Sequence, residues 1–319
     1  MCSSDLENFE RELRHALFMY FLLSDDTNNS EKQRKTTEKG WEKAEDKIGF
    51  DKLINAYGGL PKCSGVVYRR SLQRFELLLD VPDKGQHDTV MSLRKAITDP
   101  ESGKHPLDNR YGLALRLAES IYLLHAAGLV HKFIRPESFL LIEQNNLESS
   151  ERYPKRLGDP FLYDFLQVME DGTSTGEKTS AEYPKRILLY RSPRHSDSDH
   201  RDYGEDSFRM IDDIYSVGVC LLEIGLWKSF FKRDGDTYVE DGNVFNFEER
   251  SAKEVTDDLI ALAKKELPSK VGFKYTAIVV GILSCFKDQS ESKFPLKCTP
   301  VEMNARFEEV VLKGLRALL

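Results

Sequence analysis

The feature that most constrains this chain is residues 213–227, DIYSVGVCLLEIGLW, which are apolar around most of a helical circumference. A surface helix has an apolar stripe and a polar face, so a helix apolar all round must be enclosed by other elements. Enclosure needs a large body. With 319 residues, 40% of them hydrophobic, the chain has material for one large bilobal unit or two compact ones. Asp213 heads the buried helix as an N-cap would, and Glu223 inside it reads as a hydrogen-bonded structural group.

Other elements follow from periodicity. Phe9, Leu13, Leu17 and Tyr20 repeat at helical spacing and predict a helix over 5–24, followed by a polar loop or linker. Residues 41–57 predict a second charged helix, stopped by Gly58 and Gly59. The period then changes to that of strands, over 64–70 and 74–81, with a turn around Ser71–Gln73. Asp108 and Asn109 offer caps for a helix carrying Ala114, Leu117, Ala118, Ile121 and Leu124 on one face, stopped by Gly128. Further helices are expected over 256–267, 274–286 and 302–318.

Charge and cysteine usage exclude several classes. The balance of 46 basic and 53 acidic residues gives −7, with no basic stripe to hold nucleic acid. The longest apolar stretches, 275–286 and 215–222, fall short of the roughly 18 residues of a membrane span. The first residues carry acids where a signal peptide or presequence carries bases, so they read as mature protein. Cys2, Cys63, Cys220, Cys285 and Cys298 are widely spaced with no C-x-x-C, which fits a reducing intracellular compartment, the cytoplasm.

The chemically informative segment is 129–141, LVHKFIRPESFLL. It resembles the catalytic loop of the eukaryotic protein-kinase fold, His-Arg-Asp-hydrophobic-Lys-Pro-x-Asn-hydrophobic-Leu-Leu. His131, Ile134, Pro136, Leu140 and Leu141 match, and Lys132 and Arg135 keep the basic positions. Phe133 stands where the catalytic Asp would be, and Ser138 where the metal-binding Asn would be. A benzyl group can neither accept a proton nor orient a hydroxyl, and a Ser hydroxyl is a poorer metal ligand than an amide oxygen.

Three more segments resemble the same family in the same order. Phe161-Leu162-Tyr163-Asp164-Phe165-Leu166 is similar to the strand and Asp-Phe-Gly element, with Leu166 for Gly; Asp164 is the candidate Mg²⁺ carboxylate, and Asp159 the alternative alignment. Tyr190-Arg191-Ser192-Pro193-Arg194 resembles the end of an activation segment, with Arg194 where the family has a Glu that pairs with a late Arg; Arg306 is the candidate for the latter, and two arginines would not pair. Asp213-Ile214-Tyr215-Ser216-Val217-Gly218 resembles a helix start in which the Asp accepts hydrogen bonds from the catalytic-loop backbone. Structural roles for Pro193, Asp213 and Gly218 are what the resemblance implies.

The resemblance covers about residues 75–319 and implies an α+β, protein-kinase-like fold, with a mostly helical large lobe and a truncated or divergent small lobe. On that reading residues 1–60 are a helical segment and polar linker, 61–84 the last small-lobe strands and hinge, and 85–319 the large lobe. Residues 213–227, DIYSVGVCLLEIGLW, with 267–286, LPSKVGFKYTAIVVGILSCF, and 307–315, FEEVVLKGL, also resemble fungal kinase-like domains associated with incompatibility and prion-inhibition proteins. None of the 20 glycines forms a G-x-G-x-x-G phosphate loop, and no strand lysine is evident. The implied function is that of a pseudokinase, a regulatory module for a protein partner, without phosphotransfer and without a cofactor. The alternatives are a divergent active Ser/Thr kinase, using ATP, Mg²⁺ at Asp164 and Asp159 as displaced base, or a non-functional fragment. A small-molecule phosphotransferase is disfavoured by the Tyr-Arg-Ser-Pro and Asp-Ile-Tyr-Ser elements. Residues 171–180 offer phosphorylatable hydroxyls on an exposed loop, and His195 with His200 a remote metal option.

Overall fold

The structure, a computed structural model, describes residues 59–69, 74–80, 90–100, 105–142, 157–164, 169–170, 185–196, 208–235, 237–242, 244, 250–287 and 292–319. The helices expected over 5–24 and 41–57, and the loops 171–180 and around His200, lie outside them. The chain divides into two compact units, Met1–Gln86 and His87–Leu319.

In the first unit, β1 (Lys62–Arg69) pairs antiparallel with β2 (Arg74–Asp80), from Lys62↔Asp80 to Arg69↔Arg74. The register shifts between Cys63 and Gly65, a bulge that twists a two-stranded ribbon more strongly.

The second unit is α+β and mostly helical. Its sheet has the order β3–β5–β6, with β3 (Val90–Ser92), β5 (Phe139–Ile142) and β6 (Asp159–Leu162) all antiparallel. The short α1 (Leu93–Thr98) follows β3, its first turn capped by the Ser92 hydroxyl. Then comes α2 (Leu107–Ala126), which packs on β6 and carries Leu117, Ile121 and Leu124 into the core. Its N-cap is Pro106 rather than Asp108 or Asn109; Asp108 lies in the first turn, where a carboxylate still favours the helix dipole. Pro106 makes no side-chain cap, and its carbonyl accepts the first intrahelical bond from the Arg110 N–H at 3.2 Å. After α2, β4 (Leu129–Val130) pairs with β7 (Met169–Glu170). The short α3 (Lys185–Leu188) and α4 (Pro193–Ser196) lead to α5 (Met210–Leu226).

All 17 residues of α5 are buried, including Asp212, Asp213 and Glu223. The helix starts three residues before Asp213, where the Asp212 carboxylate accepts the Arg209 backbone N–H at 2.8 Å. Its long neighbour α6 (Ala252–Leu283) is two helices meeting at Gly272, whose φ of 73° breaks the run between the two segments the periodicity predicts. Gly218 and Gly225, seven residues apart on one face of α5, let α6 approach: a Cβ on Gly218 would lie 2.5 Å from Ile282 Cγ2, and one on Gly225 2.8 Å from Leu267 Cδ2. Between α5 and α6, β8 (Phe231–Asp234) and β9 (Thr237–Glu240) form a hairpin that the periodicity did not reveal. The chain closes with α7 (Pro300–Phe307), a π-helical turn (Glu308–Leu312) and α8 (Lys313–Arg316). Among the described residues, no helix is long and apolar enough to cross a membrane.

Candidate functional site

The loop after α2 is positioned by Asp213. One carboxylate oxygen accepts the His131 backbone N–H at 2.6 Å and the other the Lys132 N–H at 2.9 Å. His125 Nε2, on α2, lies 3.2 Å from the first oxygen. Lys132 has a φ of 70°, a left-handed conformation that costs a non-glycine residue about 1–2 kcal/mol. Hydrogen bonds to a buried carboxylate are charge-assisted and offset that cost.

A second tie runs from His131 to the exit of β6. The ring is buried, and its Nε2 lies 3.0 Å from the Tyr163 carbonyl. A carbonyl only accepts, so Nε2 carries the proton. Burial pushes the His131 pKa below its ordinary value, more than the nearby Asp213 charge and the Tyr163 carbonyl raise it. The next residue, Asp164, is also left-handed, with φ 68°. Two of the three left-handed non-glycine residues among those described therefore border this loop. Such conformations persist only where the surroundings over-determine them.

The remaining side chains of the loop are not arranged for proton transfer. Phe133 is half-buried, with the Arg135 guanidinium 5.8 Å from its ring centre. Ser138 is buried and its hydroxyl donates to the Phe133 carbonyl at 2.6 Å. Arg135 Nη2 lies 3.5 Å from Asp164 Oδ2, and both groups are partly exposed, so this contact is worth little. The Glu137 carboxylate reaches Arg94 Nε at 3.3 Å. Together Lys132, Phe133, Arg135, Ile187, Tyr190 and Arg191 line a shallow recess. It is basic and aromatic.

Asp159 pairs with Ile142 at the far end of β6 from Tyr163. Three residue steps separate it from Leu162, or roughly 10 Å at the strand rise. It lies at the opposite end of β6 from Tyr163, whose carbonyl contacts His131. Among the described residues, no group of three His, Cys, Asp or Glu side chains is placed to hold a metal ion. At Asp164 a cation, Arg135, stands where a second anionic ligand would be needed.

Pro193 opens α4 and is buried. Arg194 is buried too, its Nη1 3.7 Å from Asp212 Oδ2, whereas Arg306 is exposed and contacts the Lys293 carbonyl. His195 stacks on Phe208, with ring centres 5.1 Å apart, and its Nε2 is 3.4 Å from Asp212 Oδ2. The Ser192 hydroxyl donates to Asp212 at 2.5 Å. Burial alone would raise the Asp212 pKa, but His195, Arg194 and Ser192 outweigh it and hold it below the ordinary value. His195 is thus engaged by Asp212 within the fold.

Sequence reasoning missed a buried polar cluster. Arg94, on α1, is fully buried, with Nη1 2.6 Å from Glu223 Oε1. Its guanidinium also donates to the Ser229 and Tyr190 hydroxyls. Tyr190 in turn donates to Glu223 at 2.6 Å, and the Phe230 N–H to Glu223 at 2.9 Å. Burial opposes the Arg94 charge, yet Glu223, Tyr190 and Glu137 hold its pKa well above the ordinary value. The one available signal was Glu223, a carboxylate in an apolar helix, because a buried acid demands a compensating partner. No protein-family model matches the sequence, and no curated protein matches it significantly.

Proposed function

We propose that residues 87–319 are a protein-kinase-like large lobe whose phosphotransfer centre has been dismantled, and that the chain works as a pseudokinase, binding and regulating a protein partner in the cytoplasm. One observation carries the reading. Asp213 fixes the backbone of a loop whose sequence resembles a catalytic loop, while the side chain that chemistry requires is Phe133. Phosphoryl transfer depends on positioned charge and metal ions, and Arg135 beside Asp164 works against a metal there. The fungal self/non-self signalling context is part of the same proposal and rests on sequence resemblance alone.

An active divergent kinase is the second reading, favoured by Asp164, a partly exposed carboxylate on a left-handed residue next to the loop. A thermal titration of the full chain with ATP, with and without Mg²⁺, separates the two. A ligand at about 100 times its dissociation constant stabilises by about 2.7 kcal/mol. The pseudokinase reading expects no Mg²⁺-dependent rise at millimolar ATP. It also expects no phosphotransfer above an Asp164→Ala variant. A Mg²⁺-dependent rise that Asp164→Ala abolishes, with phosphotransfer above that variant, would establish the active reading instead.

A further inference from the structure

At the break in α6 the fold presents an aromatic side chain to solvent and holds it there. Phe273 follows the left-handed Gly272 and is 81% exposed. The break is fixed from both sides. The Tyr111 hydroxyl donates to the Val271 carbonyl at 2.8 Å, and the Thr276 hydroxyl to the Gly272 carbonyl at 2.8 Å. Two residues on, Tyr275 is buried and donates to the Leu221 carbonyl of α5. Four residues before Tyr111 on α2, Leu107 is 42% exposed. A side chain as large as Phe273 would ordinarily be covered.

The charge around it runs against the rest of the molecule. Residues 264–274, KKELPSKVGFK, carry four lysines and one glutamate in a chain of net −7. Lys270 Nζ is 2.8 Å from Glu266, and Lys265 Nζ 3.7 Å. The Glu266 carboxyl is held below its ordinary range by the Lys270 hydrogen bond and charge, with Lys265 and Lys228 adding to it. Lys228, from the residues after α5, therefore faces the same glutamate. Asp108, beside Leu107, is the acid that α2 contributes nearby. The surface remains basic, with an aromatic projection.

We propose that this surface docks an acidic segment of a partner protein, whose carboxylates meet Lys228, Lys265, Lys270 and Lys274 and whose apolar side chain covers Phe273. A lipid surface fits less well, since an anionic leaflet repels a chain of net −7. Phe273 and Leu107 also offer little apolar area for insertion. Complementary charge would set the approach and its salt dependence, and the buried aromatic most of the residence time. The inference adds the partner's chemistry to the binding-module reading and rests on it. Its test reads association rather than nucleotide, so either can fail alone.

The experiment selects binders to the full-length chain from a displayed random-peptide library, then measures each selected peptide by fluorescence anisotropy. Peptides rich in Asp and Glu around an aromatic or Leu residue are expected. Phe273→Ser should weaken them about tenfold or more, and Lys270→Glu with Lys274→Glu by a similar factor. Val301→Ser, at an 80% exposed position on α7, should leave them unchanged. Selection of no acidic peptide would overturn the proposal. So would equal affinity for both variants and the wild type, or Phe273-dependent co-sedimentation of the chain with phosphatidylserine vesicles.

Discussion

The two ends of α5 each bury a carboxylate, and they solve the same problem differently. Asp213, at the N-terminal end, takes hydrogen bonds from two consecutive backbone amides of one loop, with His125 Nε2 of α2 3.2 Å from the same carboxylate. Glu223, near the other end, takes them from Arg94, Tyr190 and the Phe230 amide. The first arrangement draws on that loop and on the last turn of the helix before it. The second needs a cation, which comes from 129 residues away in sequence and is as deeply buried as the acid. A backbone clasp fixes geometry; an ion pair fixes which elements must be present together.

The comparison can be broken most forcefully at Glu223. Removing one partner of a buried ion pair leaves the other charge stranded and costs about 3–5 kcal/mol. Arg94→Ala should therefore lower the urea midpoint by that equivalent. The double variant Arg94→Met with Glu223→Leu should recover much of the loss. If Arg94→Ala is neutral, the cluster is not what joins α1 to α5.

At the other end the expected effect is smaller. Asp213→Ala leaves the His131 and Lys132 amides without their acceptor, at about 1–3 kcal/mol, and Asp213→Asn should retain part of that. An unchanged melting temperature for Asp213→Ala would remove the clasp from the account of the loop. Gly218→Ala tests the packing between these ends. Its Cβ would meet Ile282 of α6, and overpacking of this kind costs about 1–3 kcal/mol.

The smallest effect is a slope against pH. His131 has a folded pKa below its unfolded value near 6.5, so the unfolded chain takes up a proton first. Its contribution is complete above that value and is lost as pH falls through it. Asp212, with its pKa held down, adds stability that is complete above the ordinary carboxylate range and is lost as pH falls below it. His131→Gln keeps a donor for the Tyr163 carbonyl and should flatten stability between about pH 5 and 7. Asp212→Asn should flatten it only at lower pH.

The same contrast explains what the sequence made legible. Residues 213–227 announced a buried helix because every turn is apolar, and the strands over 64–81 showed their two-residue alternation. Asp213 was legible because its partners are main-chain groups beside a recognisable loop. Arg94 was not: it sits in SLRKAITD, which reads as an ordinary charged surface helix, and nothing local says that Glu223 will reach it. The β8–β9 hairpin was missed because its strands, FKRD and TYVE, are short and largely solvent-facing. Asp212 as the partner of both Arg194 and His195 depended on the folding-back of α4, which no periodicity records.

The π-helical turn near the C-terminus carries a consequence for insertions and deletions. Met303, Phe307, Val311 and Leu315 are buried at intervals of four, whereas an α-helix turns every 3.6 residues. On a straight α-helix each step would slip about 40° around the axis, and three steps about 120°. That would swing Leu315 out of the core. The wider turn at Glu308–Leu312 takes up the slippage and works as a spacer one residue long. Loss of a single residue from that turn would leave a more regular helix, yet aim everything beyond it in the wrong direction. The end of this chain is therefore tuned in length as well as in composition.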